Sequence, residues 1–371
     1  MNFDLSQEQQ MLEETVSKLL GAHADRRPDS SSVWQDYASV GLLGMSFDDA
    51  FGGLGTGPVE TMIVMRAIGK QLCTSPYLGS AVYGTRLLQT GGSQEQQTAL
   101  IPGLIDGSIQ LAVAHSEPGS RYSGGDFAMT AISDGGGFIL SGRKVRVLGG
   151  ATATHFLVSA RLSDEIFGKG TTGLFLVARD CPGVTIEQYL TIDGRETADV
   201  AFEAVSISSG GLMVAAEKSE NALEDAMDHA LVAAINEAVG IMEELLSITI
   251  EYLKTRRQFG VPIGSFQALQ HKAVDIFMEV EQAKSMALYA TMRLGRPASE
   301  RRDSLTSAKL FLNRAARAVG EASVQLHGAI GLTLESKAGR LFRRLTAFQV
   351  TFGDYDSCLA SLLKSTPDIL A

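Results

Sequence analysis

Three short segments carry side chains that could hold a ligand. Thr255-Arg256-Arg257-Gln258-Phe259-Gly260 sets two guanidiniums beside a glycine turn. Arginine's planar donor fork suits the oxygens of a pyrophosphate. Cations at the end of a helix also simply offset its dipole, and from residue chemistry alone that reading weighs more. Gln325-Leu326-His327-Gly328-Ala329-Ile330-Gly331 offers an amide for a ligand amide or hydroxyl, and glycines that admit close backbone approach. It also reads as an ordinary glycine cap, with His327 a satisfied structural histidine. Ser116-Glu117-Pro118-Gly119-Ser120-Arg121-Tyr122 places small polar residues at a strand end, which suits a cofactor-facing turn or any turn. A fourth stretch, Asp48 to Gly57, is glycine-rich. It lacks a following Lys-Ser/Thr and a preceding strand, so it reads as a flexible interhelical loop rather than a phosphate cradle.

These segments sit on elements of alternating type. Ser6 followed by Gln9 forms a capping box at the start of a helix that continues through Leu12, Val16 and Leu19. Helical patterning recurs over Trp34 to Leu43 and Pro58 to Leu72. From about Ile109 the period shortens. Ile109–Ala114, Phe127–Ser133, Phe138–Ser141, His155–Arg161, Leu174–Val177, Val184–Gln188 and Val200–Val205 are short, β-branched or aromatic, and separated by Gly, Asp and Pro. That pattern predicts a β-sandwich or barrel. No GxGxxG opens a βαβ unit, which argues against a Rossmann dinucleotide site. After Gly211, stripes at helical spacing (Leu231, Ile235, Ala238, Met242, Leu245) continue through Phe266–Leu294, Ser304–Leu326 and Ala338–Leu363. Four such segments predict a four-helix bundle. The expected organisation is an N-terminal helical domain over 1–108, a β domain over 109–210 and a helical bundle over 211–371.

Composition narrows the function classes. The 371 residues exceed one ordinary core. A net charge of −10 argues against general binding to nucleic acid or an anionic membrane. Cys73, Cys181 and Cys358 have no CxxC spacing, so neither a disulfide framework nor a zinc site is expected, and buried thiols are. No apolar run reaches the roughly 20 residues of a membrane span. Met1 to Gln10 carries Asp4 and Glu8 without an apolar core, unlike a secretory signal. A cytoplasmic location is expected.

Taken in order on this α–β–α layout, the motifs resemble those of the acyl-CoA dehydrogenases, over essentially the whole chain. Gly52 to Gly55 matches that family's Gly-Gly-Leu-Gly loop, and Ser116 to Gly119 its Ser/Thr-Glu-Pro-Gly turn. Arg256 to Gly260, followed by Phe266-Gln267, matches its Arg-x-x-Phe-Gly motif, and Gln325 to Gly331 its Gln-x-x-Gly-Gly/Ala-x-Gly motif. Gly57 to Met65, Tyr252 to Gly264 and Phe352-Gly353-Asp354 more closely resemble the small subunits of heteromeric members, of the pimeloyl-CoA dehydrogenase small-subunit type. Those enzymes act on long, dicarboxylic or steroid-side-chain acyl-CoA. The resemblance implies FAD as cofactor. It implies α,β-desaturation of an acyl-CoA thioester to a trans-2-enoyl-CoA, with an electron-transfer flavoprotein as acceptor. It implies Arg256, Phe259, Gln267, Gln325, Gly328 and Ala329 at the adenine and pyrophosphate end of a neighbour's FAD, with Ser116 also facing cofactor.

Against that family the chain also departs. The two family positions for the catalytic carboxylate align with Phe352 and Ala230, neither of which can accept a proton. Asp354, two residues beyond the first, is a candidate that could face cofactor or an interface. Glu237 is another, but Glu237, Glu244 and Glu251 recur every seven residues, the spacing of one solvated or interfacial face. Where the family carries an aromatic residue and a Thr toward the flavin edge, this chain has Arg146 and Leu148. The pattern implies a lesser subunit that completes an FAD site for a homologous larger subunit, in an α2β2 assembly. A scaffold or regulatory subunit without cofactor is one alternative. A homo-oligomeric flavin oxidase or monooxygenase, using Asp354, Glu237 or an unrecognised group, is the other.

Overall fold

The computed structural model describes residues 4–22, 30–122, 128–163, 170–215, 217–333 and 335–365. Met1 to Phe3 of the terminal reading and Phe127 of the second expected strand lie outside them. In chain order the elements are α1 (Gln7–Gly21), α2 (Ser30–Ser39), α3 (Pro58–Gln71), a π-helical turn over Leu78–Gly84, α4 (Thr85–Gly91) and α5 (Gln94–Ile105). Then come β1 (Leu111–Ala114), β2 (Thr130–Asp134), β3 (Gly137–Leu148), β4 (His155–Leu162), β5 (Thr172–Ala178), β6 (Val184–Leu190), β7 (Glu196–Ser208) and β8 (Leu212–Ala215). The chain closes with α6 (Glu217–Thr255), the two-residue strands β9 (Arg257–Gln258) and β10 (Val261–Pro262), α7 (Gln267–Arg293), α8 (Ala298–His327), α9 (Lys337–Gln349) and α10 (Tyr355–Ser365).

Two compact units emerge, each drawn from separated stretches of chain: residues 28–57 with 74–230, and residues 1–27 with 58–73 and 231–371. The first unit holds the eight-stranded sheet, in the order β6-β7-β3-β2-β4-β5-β8, with β1 parallel to β4. Phe138 of β3 meets Phe175 of β5 edge-on, with ring centroids 5.2 Å apart. Two other strands separate β3 from β5 in the sheet, so this contact requires the sheet to curl over its own core. The core takes buried residues from β1 through β5 and from β7, among them Leu140, Phe156, Val177, Val200 and Phe202, with Val184 and Ile186 of β6 packed against it. Asp48 to Gly57 is held more tightly than a flexible loop. Gly53, Gly55 and Thr56 donate backbone bonds to Asp48, Phe47 and Met45, and a Cβ on Gly53 would collide with the Phe47 carbonyl. The expectation of flexibility there is corrected.

In the second unit the capping box at Ser6 and Gln9 is present as expected. Helices α3 and α6 approach backbone to backbone. A Cβ on Gly69 would strike the Glu237 carbonyl, and one on Gly240 would strike the Arg66 carbonyl. Only glycine allows that separation. The bundle departs from expectation at its end. Ala338–Leu363 is not one helix but two, α9 and α10, broken where Phe352 (φ 57°) and Gly353 (φ 123°) turn left-handed. Left-handed backbone cannot continue a right-handed helix. Cys73 and Cys358 are buried thiols and Cys181 is half-buried.

Candidate functional site

The Arg256 turn is built on the last residues of α6. Arg256 N–H donates to the Tyr252 carbonyl at 2.8 Å, and the chain then reverses through the β9–β10 pair, with Phe259 (φ 53°) and Gly260 (φ 83°) at the tip. Ile263 N–H returns to the Arg256 carbonyl at 2.8 Å. The Arg257 guanidinium is engaged by its own turn, donating to the Gly260 carbonyl at 3.0 Å. The Arg256 guanidinium is exposed and meets no carboxylate among the described residues. Beside it, Phe259 is 91% exposed and packs edge-on against Phe266. Gln267, exposed, opens α7.

The Gln325 turn ends α8. Gly328 (φ 67°) is the cap residue, its N–H donating to the Gln325 carbonyl, and residues 328–332 continue as a 3-10 turn. Gln325, Gly328 and Ala329 are exposed. His327 is buried, and its Nδ1 lies 2.9 Å from the Ser323 carbonyl, which can only accept, so Nδ1 carries the proton. Its ring stacks on Tyr252, centroids 4.6 Å apart and planes 24° apart. That stack brings two motifs 70 residues apart in sequence to the same end of the bundle. An exposed guanidinium, exposed aromatic rings and an open glycine turn together fit a phosphate-bearing, aromatic ligand.

The carboxylates proposed as bases are otherwise occupied. Glu237 is not on a solvated face: it is 2% exposed and takes a two-pronged bond from Arg344, Nε–Oε1 3.1 Å and Nη2–Oε2 2.6 Å. The heptad reading fails for this residue because the face it shares with Glu244 turns toward α9, where Lys337 meets Glu244 at 2.6 Å. Asp354 caps α10, accepting the Ser357 N–H at 2.8 Å. Ala230 is buried and Phe352 half-buried. The joint that carries Phe352 is fastened by a residue the sequence reading passed over. Lys309, fully buried on α8, donates to the Phe348 carbonyl and to Asn313 Oδ1, both at 2.7 Å, and Asn313 in turn reaches the Gly353 carbonyl at 3.3 Å.

In the sheet-bearing unit, the Ser116 carbonyl accepts Val145 N–H from β3 at 2.8 Å, which fixes the turn beside that strand. Behind it lies a second unforeseen cluster. Lys144, fully buried, donates to Glu117 Oε1 (2.6 Å), the His115 carbonyl (3.1 Å) and Ser159 Oγ (3.2 Å). Burial pushes Lys144 down to about 8, against the pull of Glu117. Burial and the Lys144 charge push His115 down to about 4. Both buried lysines were legible from periodicity. Lys144 shares the inward parity of Phe138 and Leu140, and Lys309 lies one helical turn from both Leu305 and Leu312. Along the same strand Arg146 sits on a bulge (φ 54°) with its N–H on Asp199 Oδ1 at 3.0 Å, and Leu148 offers no side-chain donor.

Family profiles for the acyl-CoA dehydrogenase N-terminal, middle and C-terminal domains match residues 6–108, 112–205 and 212–364 in turn. The chain is 27% identical over 369 residues to the probable acyl-CoA dehydrogenase YngJ of Bacillus subtilis, covering 95% of this chain and 96% of that protein. A variant of the Tcur3481-Tcur3483 steroid ACAD superposes with a TM-score of 0.84 at 28% identity, over 98% of each chain. The ChsE4-ChsE5 complex from Mycobacterium tuberculosis shares the fold, with a TM-score of 0.86 at 24% identity over 99% of each chain.

Proposed function

The chain belongs to the acyl-CoA dehydrogenase family, and on that premise we propose that it is the lesser subunit of a heteromeric enzyme, completing an FAD site whose flavin ring and catalytic base belong to a larger homologous subunit. Members of this family are FAD-dependent oxidoreductases. The observation that carries the reading is a contrast between two sets of positions that the family resemblance assigns to the cofactor. At the positions that the resemblance assigns to the adenine and pyrophosphate, Arg256 meets no carboxylate among the described residues, and Phe259, Gln267, Gln325, Gly328 and Ala329 are all exposed around the same end of the bundle. At the positions that the resemblance assigns to flavin contact and to the base, Leu148 has no donor and neither Phe352 nor Ala230 can accept a proton, while Glu237 and Asp354 are committed to Arg344 and to a helix cap.

FAD, when bound, supplies the two-electron acceptor for α,β-desaturation of an acyl-CoA thioester. The work of this chain is to bind and orient. Arg256 would hold phosphate oxygens through charge-assisted hydrogen bonds. Phe259 and Phe266 would bring apolar surface to the adenine. Ser116 stands on a turn held by β3. Catalysis then rests on the partner's carboxylate and on carbonyl polarisation in a water-poor cleft. The acceptor that the family resemblance implies is an electron-transfer flavoprotein. Exposed apolar side chains at helical spacing on α7 (Val274, Phe277, Met278) and α10 (Tyr355, Leu359, Leu363) suit burial against a homologous bundle in an α2β2 assembly. The solved steroid ACAD similar to this chain is likewise named for two gene products, which supports a steroid-side-chain or similarly long acyl-CoA as substrate class.

Flavin content tests this directly. The chain produced alone should be poor in flavin, and co-production with the partner should give a yellow complex with one FAD per pair. In that complex Arg256→Ala should weaken FAD retention by about 1.5–3 kcal/mol, the range for a hydrogen bond to a charged group. Arg256→Lys should recover part of that loss, and Arg257→Ala should cost much less. A homotetramer holding one FAD per chain and oxidising acyl-CoA by itself would overturn the proposal, as would undiminished FAD retention by Arg256→Ala.

A further inference from the structure

We infer that the Tyr252–His327 stack is a positioning element that fixes the spacing between the Arg256 turn and the Gln325 turn, so that both grip one ligand. The inference rests on the reading of these turns as the adenine and pyrophosphate end of an FAD site. Each turn begins at a helix C-terminus, where the last carbonyls lose their intrahelical partners and the backbone tends to fray. Each is pressed onto its own helix by a glycine. A Cβ on Gly264 would lie 2.8 Å from the Leu253 carbonyl, and one on Gly331 would lie 3.0 Å from the Val324 carbonyl. Those contacts fix each turn to its own helix and say nothing of the other.

The ring stack supplies the cross-link. Tyr252 carries both the ring and the carbonyl that receives Arg256 N–H at 2.8 Å. His327 directly precedes the cap residue Gly328, and its ring orientation is set by the Nδ1–H bond to the Ser323 carbonyl. A displacement of either ring is therefore transmitted through one residue to the turn beside it. At 4.6 Å and 24° the rings are in stacking contact, the arrangement that stabilises aromatic pairs beyond simple burial.

The test uses the assembled complex stripped of FAD. Equilibrium dialysis gives the FAD Kd, and amide exchange follows residues 256–264 and 328–332. Tyr252→Leu and His327→Leu should each raise Kd about three- to ten-fold, in line with an aromatic pair. The double variant should be no worse than the weaker single one, because both lose the same contact. Tyr252→Phe, which keeps the ring, should stay within about two-fold of wild type on the same grounds. His327→Leu should also accelerate exchange at Arg256 to Gly264, on the other helix, which a purely local packing role would leave unmoved. Should Tyr252→Leu fail to assemble, His327→Phe against His327→Leu makes the same comparison from the other ring. Additive losses, or unchanged Kd and exchange, overturn the inference. Undiminished retention by Arg256→Ala instead removes the underlying reading. Loss of FAD by Arg256→Ala with wild-type retention by the stack variants removes this inference alone.

Discussion

Replacing Lys309 with methionine should change how stability depends on pH, not only its size. Lys309 is fully buried, and burial, the largest influence, pulls its pKa to about 7; nearby Arg344 pulls the same way, while Cys358 and Asp354 oppose. Between about pH 7 and its ordinary value near 10.5 the unfolded chain holds a proton that the folded chain has released. Stability therefore rises with pH across that window, by up to about 1.4 kcal/mol per unit. Below pH 7 both states hold the proton, and the cost of burying the ammonium is present in full. Methionine removes the charge and the window together, while leaving the Phe348 carbonyl and Asn313 Oδ1 without a donor, a loss of about 1–3 kcal/mol. The stability of wild type minus that of Lys309→Met should thus grow by about 2–3 kcal/mol from pH 7 to pH 9. Urea unfolding followed by far-ultraviolet circular dichroism at pH 7, 8 and 9 measures it. A difference that stays constant would refute the reasoning. It would mean that the Phe348 carbonyl at 2.7 Å and the Phe348 ring at 3.6 Å outweigh burial and keep the ammonium charged throughout.

Glu237→Gln should lower stability by about 3–5 kcal/mol, since it removes the buried carboxylate that Arg344 grips at two points. Its turnover in the assembled enzyme should fall by less than the roughly 10²-fold expected for a lost general base. Asp354→Ala should cost about 1 kcal/mol through the lost cap, and Asp354→Asn much less. A 10²-fold drop in kcat with FAD still bound in Asp354→Asn would instead place the base on this chain. His115, held near 4, should make the protein less stable as pH falls from about 6.5 toward 4, because the unfolded chain takes up a proton that the folded one refuses. Thermal melts at pH 7 and pH 5 should converge in His115→Gln.

The elements were largely readable because their signals are local. The Ser6–Gln9 capping box, the stripe on α6 and the short β-branched runs of the sheet each depend on residues a few positions apart. The Ala338–Leu363 stripe misled because periodicity persists across a break: Leu345, Phe348, Leu359 and Leu363 keep helical spacing while Phe352 and Gly353 reverse the backbone between them. Glu237 misled for a different reason. A heptad of carboxylates marks a face but not what the face meets, and the deciding partner, Arg344, lies 107 residues away. The same holds for Lys144 and Glu117. Lys144 shares the inward parity of β3, yet parity alone does not say which carboxylate meets a buried cation, and that partner is a tertiary fact.

The unit formed by residues 1–27, 58–73 and 231–371 has a consequence for the order in which the protein can be made. Helices α1 and α3 leave the ribosome early, but the α6 backbone that meets Gly69 at the Glu237 carbonyl follows more than 160 residues later. Synthesis at about 5–20 residues per second leaves α3, although already able to pack on α1, without its α6 neighbour for some ten to thirty seconds. The sheet-bearing unit is complete at residue 230 and can close during that interval. The part of α3 that α6 will cover, on a helix that buries Met62, Val64, Met65 and Ile68, thus stays exposed on the nascent chain through that interval.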